Sequence, residues 1–306
     1  MPLAVYLPLL FGLALAVAAP RLASALPPRA AVWSLSVAAV VSGLSWIASL
    51  ALIANTAVDR ISFVARHEHY SVGHWRHVDP VWVPLAMTAG AVLVGCVIAL
   101  AVVLVREFTS VREVRRLSHG FVDPDTVVYV DDAVPHAYTL GGRQPRIVVS
   151  NGLLRKLDRA ERAAVLAHES AHLLCRHHTH LRVLRLAAAA NPALRGVARA
   201  GALAVERWAD EEAAGRLGDR RLVARTLVRA ALAGTHTAAP NGTLGHTSGD
   251  VGRRVEALLA APLRPRWTIV AVSAALVLAA ALSPVYAADR IGALLSAPCP
   301  TVHTVR

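Results

Sequence analysis

The sequence predicts an α-helical membrane protein that crosses the bilayer several times and carries one mainly helical domain outside it. Of the 306 residues, 55% are apolar, and the mean hydropathy is +0.48. Four long runs contain no charged residue. The chain also carries the pentad His168-Glu169-Ser170-Ala171-His172, an H-E-x-x-H pattern that places both histidines on one face of a helix.

The uncharged runs define the predicted transmembrane helices, because each reaches the roughly 20 residues that cross a bilayer core. They are Met1–Pro20, Ala30–Val58, Pro80–Val105 and Trp267–Ala288. We predict helices at about 2–20, 31–55, 81–105 and 267–288. Residues 1–105 then hold three spans, 106–266 form the domain, and 289–306 form a short external tail.

Two of these runs have an alternative reading. The first run lacks the basic residues that precede the apolar stretch of a signal peptide, and Arg21 follows it instead, which favours a permanent anchor. The fourth run is rich in alanine, so the alternative is a buried helix of the domain. Its length and its flanking residues Arg266 and Asp289 favour a span.

The charges of the loops predict the orientation. Arginines without any acid lie between the first two runs, at Arg21 and Arg29, and more flank the domain on both sides. Since basic residues are enriched in cytoplasmic loops, we expect the domain to face the cytoplasm. The net charge of +12 raises the question of nucleic acid, but the arginines are dispersed and concentrate near the membrane, where anionic headgroups are the expected partner.

The H-E-x-x-H pentad predicts a zinc site. His168 and His172 can reach one ion, and Glu169 lies between them in sequence, as required of a base beside the metal. A second predicted helix supplies Glu206 as a third ligand and, one turn on, Asp210 as the acceptor of a ligand imidazole's N–H. The alternatives are a histidine pair that binds nothing and a solvated acidic face.

The helix that carries the pentad has a clear predicted start. The segment Asp158-Arg159-Ala160-Glu161 has the capping-box pattern, and apolar residues continue from it without Gly or Pro. We expect a break at Asn191-Pro192 and at Gly201 before the second helix.

The pentad followed by Glu206-x-x-Ala209-Asp210 resembles the gluzincin membrane metallopeptidases. Two types are similar: the beta-lactam sensor/antirepressor type (BlaR/MecR-like) and the heat-shock quality-control proteases. The placement of the spans is closer to the sensor type. That type carries a large extracellular domain after its last span, whereas only residues 289–306 follow here. The resemblance covers about residues 106–260 and implies a zincin-like, mainly α domain (α+β, small sheet) with one Zn²⁺ per chain.

The resemblance also implies a strand pair ahead of the metal helix. The segments Pro135–Gly142 and Pro145–Leu154 are similar to that pair. In such families the first strand is the edge that binds an extended substrate by β-augmentation. Here it comprises Ala137, Tyr138, Thr139 and Leu140.

A further element is similar but more loosely spaced. His246 followed by Arg253-Arg254-Val255 resembles a histidine-then-arginine element of the heat-shock type, with Thr247 in place of the usual Pro. His246 is therefore a tentative oxyanion donor, and a surface-loop histidine is the alternative. The loop Gly234–Gly252 that contains it is a candidate cap over the active site.

By resemblance, the function is that of an integral zinc metalloendopeptidase of the bacterial plasma membrane. Its substrate would be a cytoplasmic or membrane-adjacent protein, with a transcriptional repressor in a signalling pathway as one candidate. The alternatives are a broad membrane-protein quality-control protease and a non-catalytic membrane scaffold. We expect a protein or peptide substrate and lipid as partners and no direct nucleic acid; the oligomeric state stays open.

Two other groups of residues remain without an assigned role. The outer loop carries four histidines, for which a metal site or a pH switch competes with an ordinary solvated loop: His67, His69, His74 and His77. Three more follow the metal helix, His177, His178 and His180, and a polar helix face is the expected reading. The three cysteines suggest no disulfide framework.

Overall fold

The computed structural model describes residues 3–58, 82–119, 126–140, 145–233, 248–264 and 267–296. Ten α-helices lie in this part of the chain: α1 Leu7–Ala25, α2 Pro28–Val58, α3 Val83–His119, α4 Asn151–Leu154, α5 Arg159–Leu174, α6 His177–Ala190, α7 Arg195–Leu217, α8 Arg220–Ala233, α9 Ser248–Leu259 and α10 Trp267–Ser296. Short 3₁₀ turns occupy Leu3–Tyr6 and Pro192–Leu194. Three strands complete the described elements: β1 Val127–Val130, β2 Ala137–Leu140 and β3 Arg146–Ser150.

Four of the helices are long and apolar enough to cross a membrane, which confirms the predicted fold class. The candidate spans are Ala4–Ala25, Pro28–Asn55, Val83–Arg112 and Trp267–Asp289. The first extends past the expected end at residue 20, because Pro20 and Arg21 lie inside α1. The third helix continues well beyond its apolar part, to His119.

The small sheet has the order β1-β3-β2. Strand β1 runs parallel to β3, and β2 runs antiparallel to it with Thr139 opposite Ile147. All five residues of β3 are buried, as expected of a central strand. The segments predicted as a strand pair thus contain β2 and β3, and β2 forms one edge of the described sheet. Strand β1 was not predicted; its run of valines was the available signal.

The capping box at the start of α5 is present as predicted. The Asp158 carboxylate accepts a hydrogen bond from the Glu161 N–H, and the Glu161 carboxylate accepts one from the Asp158 N–H. Glu161 is fully buried and also accepts hydrogen bonds from Arg229 of α8 at 2.7 and 2.8 Å. The box therefore fixes the start of α5 and ties it to α8.

Helices α6 and α7 form a hairpin, and one predicted break is wrong. The chain breaks at Asn191–Leu194 as expected, but α7 then runs without interruption through Gly201. Gly201 serves packing instead. A Cβ at this position would lie 2.4 Å from Leu184 Cδ1 of α6, so glycine is what permits the close approach of the two helices.

The hairpin packs among the candidate spans. At its tip, a Cβ on Gly12 of α1 would lie 2.7 Å from Nδ2 of Asn191, and Gly43 of α2 faces Ala187 and Ala190 of α6. One buried apolar cluster combines residues of α1 and α2 with residues of α6 and α7, including Leu35, Leu184 and Val205. The domain and the spans therefore share a hydrophobic core.

Candidate metal centre and active site

Three side chains from two helices converge on one point. His168 and His172 come from α5, and Glu206 comes from α7, which packs against it. The two imidazole Nε2 atoms are 3.1 Å apart. Glu206 places one carboxylate oxygen 3.5 Å from Nε2 of His168 and the other 3.7 Å from Nε2 of His172. The structure thus brings together the three residues predicted from sequence as ligands.

These separations fit a tetrahedral zinc ion. Zinc binds imidazole nitrogen and carboxylate oxygen at about 2.0–2.2 Å, so two ligand atoms on a tetrahedral ion are about 3.3–3.5 Å apart. The 3.1 Å between the two Nε2 atoms and the 3.5 Å from Oε2 of Glu206 to Nε2 of His168 lie close to that range, and one ligand atom from each of the three residues lies within 4.8 Å of the others. Two neutral nitrogens and one carboxylate also form the donor set of catalytic zinc sites that leave a position for water.

Asp210 contacts the back of His168. Its Oδ1 lies 3.1 Å from Nδ1 of His168, the ring nitrogen that does not face Glu206. A carboxylate at this position fixes the tautomer in which Nε2 carries the free lone pair. Burial lowers the pKa of His168, but hydrogen bonds to Asp210 and Glu206 outweigh burial and raise it to about 10. A metal must therefore displace a proton from this imidazole.

Arg254 of α9 holds the two carboxylates of α7. Its guanidinium donates to both oxygens of Asp210, at 2.7 and 2.8 Å, and lies 3.1 Å from Glu206. Arg254 is 4% exposed and Asp210 is 2% exposed, so this is a buried ion pair. Burial by itself raises the pKa of Asp210. Arg254 and His168 have the larger and opposite effect, so the pKa of Asp210 is lowered and the carboxylate stays ionised.

His172 has an imidazole as its second partner. Nδ1 of His177 lies 3.1 Å from Nδ1 of His172, and the His177 ring packs against the ring of Trp208 at an interplanar angle of 53°, with centroids 4.7 Å apart. Burial lowers the pKa of His177 to about 3, so it is neutral and can accept the N–H of His172. The turn that folds it back depends on Arg176, whose φ of +52° is left-handed.

The expected polar helix face at the start of α6 is therefore only partly correct. His178 is exposed, but His177 and His180 are buried. His180 lies 3.1 Å from the Ser36 hydroxyl and packs edge-on against Trp33 of α2, with ring centroids 4.7 Å apart. The face is covered because α2 packs on α6, a long-range contact without a sequence signal.

Glu169 lies between the metal-ligand group and the sheet. The Thr139 hydroxyl of β2 donates to Oε2 of Glu169 at 2.6 Å. This bond turns the carboxylate toward β2. Thr139 was predicted only as part of the edge strand, and its contact with Glu169 was not foreseen.

The direction of the backbone groups of β2 follows from its pairing. The Ser150 N–H donates to the His136 carbonyl at 2.9 Å, so this pair is hydrogen-bonded across the ladder. Pairs alternate along an antiparallel ladder. The N–H and C=O of Tyr138 therefore face β3, while those of Ala137 and Thr139 face the edge that is free in the described sheet.

Several predicted features lie outside the described residues. These are His246, the part of the loop from Gly234 up to residue 247, and the outer-loop histidines at positions 67, 69, 74 and 77. Of the cysteines, Cys96 is buried and Cys175 is half-buried, and both are free thiols.

The segment with this geometry matches a known family. Residues 109–202 match Peptidase family M48. The matched segment contains β2, β3, α5 and α6 and stops inside α7, before Glu206. The family match thus covers the two histidines and Glu169, while the third candidate ligand rests on the geometry described above.

Curated relatives match over a similar but shorter stretch. A "Protease HtpX homolog" of Pelodictyon phaeoclathratiforme (strain DSM 5477 / BU-1) is 42% identical over 71 residues, which are 22% of this chain and 24% of the relative. The "Plastoglobule-localized metallopeptidase 48, chloroplastic" of Arabidopsis thaliana is 48% identical over 65 residues, 20% of this chain and 19% of the relative. A "Protease HtpX homolog" of Chlorobium phaeobacteroides (strain BS1) is 42% identical over 65 residues, 21% and 22% of the two chains.

The extent of these matches limits what they establish. The chain spans about a quarter or less of the length of the curated relatives it matches. No solved structure matches it significantly. Together with the four apolar helices, the matches support a multi-pass membrane protein with a metallopeptidase segment.

Proposed function

We propose that this protein is an integral membrane zinc metalloendopeptidase. The observation that carries the proposal is the convergence of His168, His172 and Glu206, with separations that suit tetrahedral zinc and with Glu169 beside them. A zinc ion held there would supply a Lewis acid and lower the pKa of water toward about 7.

The chain's own residues have distinct roles in this proposal. Glu169 takes a proton from the attacking water and later gives it to the leaving amine. Thr139 orients Glu169 through its 2.6 Å hydrogen bond. Asp210 and His177 fix the ring tautomers of His168 and His172, and Arg254 keeps Asp210 and Glu206 in place. His246 stays a tentative oxyanion donor.

The substrate binds as an added strand on β2 in this proposal. Ala137–Leu140 lies at the edge of the described sheet, and Thr139 places that edge next to Glu169. Main-chain hydrogen bonds hold the peptide, so the side-chain demands at the edge are modest.

The catalytic domain faces the cytoplasm of a bacterial cell in this proposal, with three spans in residues 1–105, the domain in residues 106–266 and a fourth span in 267–288. The arginines that flank the spans support the orientation. The substrate is then a cytoplasmic or membrane-adjacent protein. By analogy with the beta-lactam sensor/antirepressor type, a transcriptional repressor is the first candidate. A broad membrane-protein quality-control protease is the second candidate, because the sequence also resembles the heat-shock type and two relatives are named as proteases.

Metal analysis and proteolysis of the purified full chain test this proposal together. We expect about one zinc per chain, lost in His168→Ala, His172→Ala and Glu206→Ala. Glu169→Gln should keep the zinc but cleave no protein or peptide, because an amide cannot accept the water's proton. Wild-type cleavage by Glu169→Gln, or zinc at full stoichiometry in Glu206→Ala, would contradict the assigned roles. A zinc-loaded wild type that cleaves nothing would leave only a binding role.

A further inference from the structure

The face of α7 that carries Glu206 continues away from the metal ligands as a basic stripe. With 3.6 residues per turn, Arg199 and Arg195 lie within about 20° of Glu206 around the helix axis. At 1.5 Å per residue, they lie about 10 and 16 Å from it along the axis. Both arginines are exposed.

The other faces of α7 are covered by neighbouring helices. Gly196 faces Ala16 of α1, and Gly201 faces Leu184 of α6. Helix α5 packs against α7 beside Glu206 and Asp210 and ends at Leu174. Within the part of the chain that the structure describes, no helix therefore covers the face of α7 between Glu206 and Arg195.

The two arginines lack an anionic partner among the described residues. Among the described residues, Nε of Arg199 donates to the Arg195 carbonyl at 3.4 Å, and neither arginine forms an ion pair with a carboxylate. Gly196 lies beside Ala16, and Arg207 donates to the carbonyl of Ala23, so this part of α7 runs alongside the candidate span α1.

We propose that Arg199 and Arg195 bind acidic side chains of the substrate, and this inference rests on the proposed peptidase function. An extended peptide covers about 3.3 Å per residue, so the two arginines suit acidic residues about three and five positions from the cleaved bond. The stripe therefore selects a segment with an acidic flank.

The test uses the full chain in nanodiscs of zwitterionic phosphatidylcholine and two internally quenched peptide pools. Both pools have randomised neutral centres, and their flanks are rich in Glu in one pool and in Gln in the other. We expect wild type to cleave the Glu pool about three- to tenfold faster in kcat/KM, as two exposed ion pairs allow. The double variant Arg195→Gln/Arg199→Gln should lose this preference while cleaving the Gln pool at the wild-type rate. Arg216→Gln, at the other end of α7, is the matched control.

A binding measurement separates this inference from the proposed function. Fluorescence anisotropy of the labelled Glu pool with the Glu169→Gln protein should show tighter binding than the Gln pool, lost in the double arginine variant. If the protein prefers to bind the Glu pool but wild type cleaves neither pool, the peptidase proposal is wrong while the proposed role of the two arginines stands. Cleavage or binding that ignores flank charge overturns the stripe. If the charge effect depends on anionic phosphatidylglycerol in the nanodisc and not on the peptide, the arginines bind lipid. This result would equally overturn the proposal.

Discussion

Arg254 links the metal-ligand group to a helix far along the chain. It forms a buried bidentate pair with Asp210 and also contacts Glu206. If Arg254 is replaced, two carboxylates remain close together in a buried site. Removing one partner of such a pair is more costly than the pair's own net contribution to stability.

We expect Arg254→Gln to lower the free energy of unfolding by about 3–5 kcal/mol and to weaken zinc binding. Thermal unfolding of the purified protein and zinc titration measure both effects. The neighbouring exposed Arg253 pairs with Asp250 at the surface, so Arg253→Gln is a matched control with an expected effect under about 1 kcal/mol. Equal stability of the two variants would show that Arg254 is not needed to hold the carboxylates.

The hydroxyl of Thr139 is the contact between the edge strand and Glu169. Thr139→Val removes the donor but keeps the branched shape. We expect it to lower kcat about tenfold, the order of one hydrogen bond to a charged group, with zinc content unchanged. Thr139→Ser restores the donor and should stay near the wild-type rate. If Val and Ser variants fall equally, packing rather than the hydrogen bond explains the effect.

At the scale of elements, β2 allows a sharp test of strand addition. Because the Ala137 N–H faces the free edge and the Tyr138 N–H faces β3, proline should act differently at the two positions. Ala137→Pro should raise KM for protein substrates while the unfolding temperature stays close to that of wild type. Tyr138→Pro should lower the unfolding temperature, since it removes a ladder hydrogen bond. Unchanged cleavage by a folded Ala137→Pro protein would refute substrate binding along this edge.

The start of α5 should make the domain sensitive to acid. Burial raises the pKa of Glu161, but hydrogen bonds from Arg229 and from the Asp158 backbone bring it below the ordinary 4.5. The pKa of Glu161 is lower in the folded protein than in the unfolded chain, so its ionised carboxylate stabilises the fold above about pH 4.5. This stabilisation is lost as the pH falls through the folded-state pKa.

Arg229→Gln should therefore lower the unfolding temperature at pH 7 and have a smaller effect near pH 4. Differential scanning fluorimetry across this range gives the measurement. Arg221→Gln, an exposed position on the same helix, serves as the control and should show no such dependence. An Arg229→Gln effect that is constant with pH would mean that its bond to Glu161 contributes nothing to stability.

At the scale of the whole molecule, the orientation of the chain in the membrane can be tested. The arginines between the first two spans and around the domain predict a cytoplasmic catalytic domain. A reporter fused at Gly242 should read cytoplasmic, and reporters at Gly73 or after Arg306 should read external. Opposite readings would place the catalytic residues outside the cell and exclude a cytoplasmic repressor as the direct substrate.

The sequence by itself determined the features that depend on neighbours along the chain. The four candidate spans follow from uninterrupted apolar length, and the capping box of α5 follows from residues three positions apart. His168 and His172 share a face because four residues make about one helical turn. Glu206 and Asp210 followed from the same periodicity once a second helix was assumed, and β2 and β3 followed from a resemblance.

Only the tertiary structure decided the contacts between distant segments. The bond from Thr139 to Glu169, the clamp of Arg254 on Asp210 and the packing of the α6–α7 hairpin among α1 and α2 join residues 30 or more positions apart. The contact of His177 with His172 is local in sequence, yet it depends on a left-handed turn at Arg176. No glycine marks that turn, so the sequence pattern did not indicate it. Such contacts follow from how helices pack rather than from any periodicity, and they decide how the candidate ligands are held.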